Sequence, residues 1–260
     1  MSDSKSQNDS SPFISVVTAC YNSSDTIRDT VDSVRSQDFG AYEHIIIDGC
    51  STDETCAIVE SYCDSRIKVI SERDDGIYDA MNKGIRMAKG EYIATLNSDD
   101  YYVDGNVFSR VHDAVISNDF PDIVYGNKYN LKNGILELKI PEMTKKKPRR
   151  LHMPVFHPAT FIKSSVYREV GLYDLSYRLC ADYLYLWRCH AQGLNFCYVN
   201  NVFTVMRCGG ASDQNWKRQH EEVDRVLSEI DAPIFDRLQF KCSHYTAIVK
   251  STIKELFLNK

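Results

Sequence analysis

The chain has 260 residues, 43% of them hydrophobic and 26% charged, enough apolar material for one large α/β domain or a smaller domain plus an extension. A net charge of −5 argues against nucleic acid as the partner, and no run approaches the roughly 18 apolar residues of a membrane span. The nine cysteines contain no CxxC pair and fit neither a zinc ligand ladder nor a redox motif, so they read as reduced thiols of a cytoplasmic protein.

Residues 1–11 are polar and Ser-rich, lack the apolar centre of a signal peptide, and read as a disordered tail. Ile14 to Ala19 is a β-branched run of the kind a buried parallel strand presents. Ser23, Ser24 and Asp25 offer N-caps for a helix on which Ile27, Val31 and Val34 recur at helical spacing. His44 to Ile47 predicts a second strand, ended by Asp48-Gly49, and Thr52 then caps a helix with Asp53 and Glu54 in its first turn. Ile67 to Ile70 is a third strand. Ile77, Met81, Ile85 and Ala88 mark a helix face that Gly90 stops. Glu91 to Leu96 is a fourth strand, running into Asn97-Ser98-Asp99-Asp100. Strand and helix alternating at this tempo predict a mainly parallel, Rossmann-like central sheet flanked by helices.

Beyond Asp122 to Tyr125, a further strand, the order is less regular. Residues 145–150, Lys-Lys-Lys-Pro-Arg-Arg, form a basic loop. Ala181 to Gln192 reads as a helix, Asn195 to Val199 as a strand, and Gly209-Gly210 breaks the chain. Two helical patterns follow from Trp216, separated by Pro233.

Ligands bind open parallel sheets at the carboxyl ends of the strands, where loops and helix N-termini converge. The polar clusters of the first hundred residues all fall there: Thr18 to Ser23, Asp48 to Asp53, Glu72 to Asp75, and Asn97 to Asp100. Adjacent carboxylates after an apolar strand suit a hard divalent cation that keeps water and phosphate ligands. An Asp-rich turn capping the next helix fits the same residues, and spacing alone leaves both readings open.

Seven segments, in order, resemble the motifs of family 2 glycosyltransferases of the GT-A fold, closest to the bacterial group that builds O-antigen and other surface polysaccharides. They are ISVVTACYNS, IIIDGCSTDET, SERDDGIYDAMNKGI, GEYIATLNSDD, HPATF, CADYLYLWR and MRCGGAS. The resemblance covers residues 12–212 as the transferase domain, leaving 213–260 as a C-terminal helical extension. It implies an inverting, metal-dependent transfer of a sugar from a UDP-sugar donor to a hydroxyl of a glycan or undecaprenyl-diphosphate-linked acceptor. The setting it implies is the cytoplasmic face of the membrane. The basic run 145–150 and the tail that carries Lys241, Lys250 and Lys254 among apolar residues fit peripheral contact with anionic headgroups or an acceptor diphosphate, and equally a solvated loop and an ordinary packed helix.

By the same resemblance Thr18, Tyr21 and Asn22 occupy the first nucleotide-binding loop, and Asp48 contacts the base. Ser51 and Asp53 support that loop, and Ser98 joins the nucleotide site. Asp75, Asp79, Asn82 and Lys83 line the donor side. Asp99 corresponds to the metal carboxylate of a DxD motif, with Asp100 beside it and Asn97 in place of the first acid, for Mn²⁺ or Mg²⁺. Asp182 matches the general base. The family often has a second acid two residues on, where this chain has Leu184. His157 faces a sugar. Arg207, with Gly209, Gly210 and Ser212, belongs to a flexible loop closing over the diphosphate. The residues by themselves leave other readings open: a helix-dipole carboxylate at Asp182, a structural His157, and solvated Lys83 and Arg207. A sugar nucleotidyltransferase is disfavoured because Val16 to Ser23 lacks a Gly-rich phosphate loop. A catalytically silent glycan-binding protein is disfavoured by the joint presence of Asp48, Asp99, Asp100 and Asp182.

Overall fold

The computed structural model describes residues 11–210, 214–243 and 246. Strands β1 (Ile14–Cys20), β2 (Tyr42–Asp48), β3 (Ile67–Ser71) and β4 (Tyr92–Thr95) alternate with helices α1 (Ile27–Arg35), α2 (Thr55–Glu60) and α3 (Ile77–Met87). Then come β5 (Tyr101–Tyr102), α4 (Val107–Ser117) and the hairpin of β6 (Ile123–Lys132) with β7 (Ile135–Lys139). The chain closes with β8 (Thr160–Lys163), α5 (Ser164–Glu169), α6 (Ala181–Ala191), β9 (Phe196–Arg207) and α7 (Trp216–Glu229), and residues 234–243 are helical.

The sheet runs β3-β2-β1-β4-β8-β6-β9-β5, with β7 paired to β6. Its first four strands are parallel, as the alternation predicts. The second half is mixed: β8 runs antiparallel to β4 and β6, and β9 parallel to β6. Both β6 and β9 extend well past the short runs expected from sequence, because each finds a partner strand along its added length.

Successive strand residues point to opposite faces, and the two main cores follow that parity. Val17 and Ala19 pack with Met81 and Ile85 of α3 and Leu184 and Trp187 of α6. Ile14 and Val16 pack with Phe108, Val111 and Val115 of α4 and with Phe161 of β8. Helix α3 lies so close on β1 that a Cβ at Gly84 would sit 2.3 Å from the Val17 side chain. Helix α2 starts at Thr55, later than expected, because Asp53 rather than Thr52 accepts its leading N–H, at 3.0 Å.

The C-terminal helices are bound into the domain. Glu222 of α7 is buried, and its carboxylate accepts the backbone N–H groups of Arg178 (2.9 Å), Leu179 (2.8 Å) and Cys180 (3.1 Å) and pairs with Arg218 at 3.0 Å. Those three N–H groups lead directly into α6, so α7 fixes where that helix begins. Replacing Glu222 by Ala leaves them without a partner and is expected to cost roughly 3 kcal/mol of stability. Chemical denaturation reads this, and an unchanged midpoint would contradict the brace. The basic run is also largely consumed here. Lys145 pairs with Glu142 at 2.5 Å, Arg149 donates to Asp236 at 3.0 Å, and Arg150 donates to the Asp231 carbonyl at 2.9 Å. Only Lys146 and Lys147 of that run stay exposed without such contacts among the described residues. Lys241 is exposed, while Lys250 and Lys254 lie outside the described residues.

Candidate active site

The loops after β1, β2 and β4 are tied into one rim by hydrogen bonds between residues far apart in the chain. Asn22 adopts a left-handed backbone (φ 48°). Its N–H donates to Ser51 Oγ at 2.8 Å, and its side-chain oxygen accepts the Thr52 N–H at 2.8 Å. Ser24 N–H donates to Asp53 at 3.0 Å, and the hydrogen bonds from Thr55 and Ser24 hold that carboxyl well below the usual range. Ser23 and Ser98 share a hydroxyl contact of 2.8 Å, which joins the first loop to the acidic loop. Tyr21 presents an exposed ring beside Gly49. A Cβ at Gly49 would lie 3.5 Å from that ring and 2.6 Å from the Asp74 carboxylate, so the approach needs glycine.

Two expected nucleotide contacts are turned inward. Thr18 lies in β1 on the face shared by Val16 and Cys20, fully buried, with its hydroxyl 2.9 Å from His44 Nε2. Burial pushes that imidazole down to about 3, so it is neutral. Asp48 is also fully buried, and its carboxylate is spent on Ser71 Oγ (2.6 Å), the Ser51 N–H (3.0 Å) and Ser51 Oγ. Burial raises its pKa, but those hydrogen bonds outweigh it and hold the carboxyl below the ordinary range. Asp48 therefore braces the 49–53 loop, and the residues it props up are the ones that reach the surface.

The third loop gathers Asp75, Asp79 and Lys83. The Asp75 N–H donates to Asp79 at 3.1 Å, and the Lys83 ammonium lies 3.0 Å from Glu72 and 3.5 Å from Asp79. Asn82 does not line this side: it is buried, and its amide bridges the Tyr173 backbone at 2.9 and 3.0 Å.

In the acidic loop Asp99 is partly exposed, whereas Asp100 is 1% exposed. Asp100 accepts the Arg207 N–H at 3.2 Å and the Asn97 amide at 3.3 Å. Burial, and then the charge of Asp99, push its carboxyl up to about 8. Burial also raises Asp99, against the pull of Arg207. Asn97 Oδ1 is buried and has no protein partner. Among the described residues no group of three or more His, Cys, Asp or Glu side chains is gathered to hold a metal by protein alone. The Asp99 carboxylate and the unpartnered Asn97 oxygen still fit a hard divalent cation that retains water and phosphate ligands.

Arg207 is the last residue of β9 rather than part of a loop, because β9 pairs with β6 up to that position. Its guanidinium pairs with Asp29, donates to the Asp99 carbonyl at 2.6 Å and lies 4.9 Å from the Tyr101 ring centroid. It grips the acidic loop. Ser212 lies outside the described residues.

Asp182 opens α6. Its Oδ1 accepts the Tyr78 hydroxyl at 2.7 Å and the Tyr183 N–H at 2.9 Å, while Oδ2 lies 4.0 Å from His157 Nδ1. His157 is buried, with Nε2 2.7 Å from Thr95 Oγ1 and 2.8 Å from the Tyr173 hydroxyl. Burial lowers the imidazole pKa despite Asp182, which keeps the ring neutral. Thr95 ends β4 just before the acidic loop, and the imidazole bonded to it lies 4.0 Å from Asp182, so the base candidate and that loop share a neighbour in His157. Sequence reasoning missed Tyr78. Its signal was faint: a tyrosine one position off the apolar stripe of Ile77, Met81 and Ile85.

The family model for Glycosyl transferase family 2 matches residues 15–169. A "PGL/p-HBAD biosynthesis glycosyltransferase" of Mycobacterium bovis is 27% identical over 184 residues, 70% of this chain and 71% of that protein. A "UDP-Glc:alpha-D-GlcNAc-diphosphoundecaprenol beta-1,3-glucosyltransferase" of Escherichia coli is 42% identical over 101 residues, 38% of this chain and 40% of that one. Residues 1–349 of S. aureus TarS, solved with UDP-GlcNAc, superpose with a TM-score of 0.68 at 16% identity, covering 89% of this chain and 71% of that one. Against the longer TarS structure the chain spans 42% of the length. A mannosyltransferase of Pyrobaculum calidifontis, solved with GDP-Man and Mn²⁺, gives a TM-score of 0.64 at 16% identity, over 90% of this chain and 70% of that one. At such identities the likeness shows the fold, which is GT-A.

Proposed function

The chain belongs to glycosyltransferase family 2, and we propose that it moves a sugar, with inversion, from a UDP-sugar to a hydroxyl of a glycan or lipid-linked acceptor. The observation that carries this reading is the placing of Asp182 beside His157, whose ring bonds Thr95 at the end of the strand that delivers the acidic loop. It is supported by the UDP-GlcNAc bound to TarS and by the diphosphoundecaprenol acceptor in the E. coli relative's name. In this reading residues 12–212 are the transferase domain, acting in bacterial surface polysaccharide synthesis at the cytoplasmic face of a membrane. Among the described residues no helix is long and apolar enough to cross one. Among the described residues, Lys146 and Lys147 of the basic run and Lys241 of the tail are exposed and open to anionic headgroups.

The exposed Tyr21 ring and the loop carrying Ser51 would hold the nucleoside. A divalent cation beside Asp99 would supply charge neutralisation of the diphosphate. Asp182 Oδ2 takes the proton of the acceptor hydroxyl as its oxygen bonds to the anomeric carbon and the bond to the diphosphate oxygen breaks. Tyr78 and the Tyr183 N–H hold Oδ1, which leaves Oδ2 for that proton.

A thermal-shift and hydrolysis screen across nucleotide sugars, with Mn²⁺, Mg²⁺ or EDTA, tests the proposal. A UDP-sugar with metal is expected to raise the melting point and to be slowly hydrolysed, and EDTA to abolish both effects. Silence from every nucleotide sugar would overturn it.

A further inference from the structure

Lys128 is 8% exposed yet has no carboxylate within ion-pair distance among the described residues. Its ammonium rests 2.9 Å from the sulfur of Met206 and 4.9 Å from the ring centroid of Phe156. A thioether is a weak acceptor and a ring face offers no lone pair, so the protein leaves this ammonium's three N–H donors poorly used. Burying a cation without stronger partners is costly unless something else meets the charge.

The position is informative. Met206 adjoins Arg207, whose N–H holds Asp100, and Phe156 adjoins His157, which faces Asp182. Lys128 is thus packed beside residues next in sequence to those that hold the acidic loop and face the base, and the charges of both Asp100 and Asp182 act on it. The ribbon register sets Lys128 against Thr204 and Asn130 against Met206. Thr204 Oγ1 and Asn130 Oδ1 on that ribbon are buried atoms without a protein partner. The polar demand of this face of β6 and β9 is unmet by the chain itself. Burial lowers the lysine's pKa while Asp100, Cys208 and Asp182 raise it and Lys139 opposes them.

We propose that Lys128 is a ligand-binding residue whose ammonium takes a phosphate oxygen of the donor's diphosphate, on the side of the sugar. This rests on the nucleotide-sugar reading above. A compact ammonium with open donors suits a phosphate as a point charge, and the acidic loop beside it is where that diphosphate would be neutralised. The contact opposes the negative charge that builds on the leaving group.

The test compares each nucleoside diphosphate (UDP, GDP and dTDP) with its monophosphate by calorimetry in Mn²⁺, in wild type and in Lys128→Met. The monophosphate lacks the phosphate assigned to Lys128. The substitution is expected to weaken the diphosphate about tenfold or more, as loss of a charged hydrogen bond does, and to leave the monophosphate within about twofold. Equal losses for both, as a merely structural lysine would give, or no loss at all, overturn the assignment. If Lys128→Met does not fold, Lys128→Gln, which removes the charge and keeps a polar head, supplies the same ratio. Wild type that binds none of the diphosphates overturns the nucleotide-sugar reading, and this assignment falls with it.

Discussion

Asp182→Asn is expected to lower sugar transfer roughly a thousandfold while nucleotide affinity stays within about twofold, as loss of a general base requires. The substitution is close to silent structurally. An asparagine oxygen still accepts the Tyr78 hydroxyl and the Tyr183 N–H where Oδ1 now does. The amide nitrogen then occupies the place of Oδ2, 4.0 Å from a neutral His157, where it no longer accepts a proton. Kinetics under saturating donor and acceptor isolate the chemical step. An active Asp182→Asn enzyme with an unchanged melting point would remove this residue from the mechanism.

Asp99→Asn is expected to abolish the gain in diphosphate affinity that Mn²⁺ confers, and to cut transfer about 100-fold or more. In wild type, EDTA is expected to do the same. The physical ground is the unequal state of the two neighbouring acids. Asp100 is sealed against Arg207 and Asn97 and pushed up to about 8 by burial and by its neighbour. Asp99 is the partly exposed carboxyl of the two, its pKa raised by burial with Arg207 pulling it down. The partly exposed acid, with the unpartnered Asn97 oxygen in the same loop, is therefore the one open to a cation. Titration of UDP with and without Mn²⁺ checks it. If Asp99→Asn kept the metal-dependent gain, the cation would be held elsewhere.

The order of strands and helices through Thr95 was legible because apolar spacing alone distinguishes a buried strand from an amphipathic helix. So was the rim, since strand ends in a parallel sheet must deliver their loops to one edge. Individual side chains were less legible. Thr18 and Asp48 sit within rim motifs, yet β1 is covered on both faces, with Thr18 bonded to His44, and the serines around Asp48 hold its carboxylate inward. Asn82 appeared to belong to the donor side and instead clips Tyr173 into place. Arg207 appeared free to close over a ligand, yet β9 continues through it and Asp29, Tyr101 and the Asp99 carbonyl hold it.

By itself the sequence determined the architecture of the parallel half of the sheet, the family, and which polar loops the strand ends deliver. These depend on local periodicity and on motif order along the chain. Only the tertiary structure decided that Tyr78 and His157 flank Asp182, that Glu222 anchors the turn before it, and that Lys128 is buried against Met206 and Phe156. Each of those pairs lies dozens of residues apart, and their meeting depends on packing between elements, which no local spacing encodes.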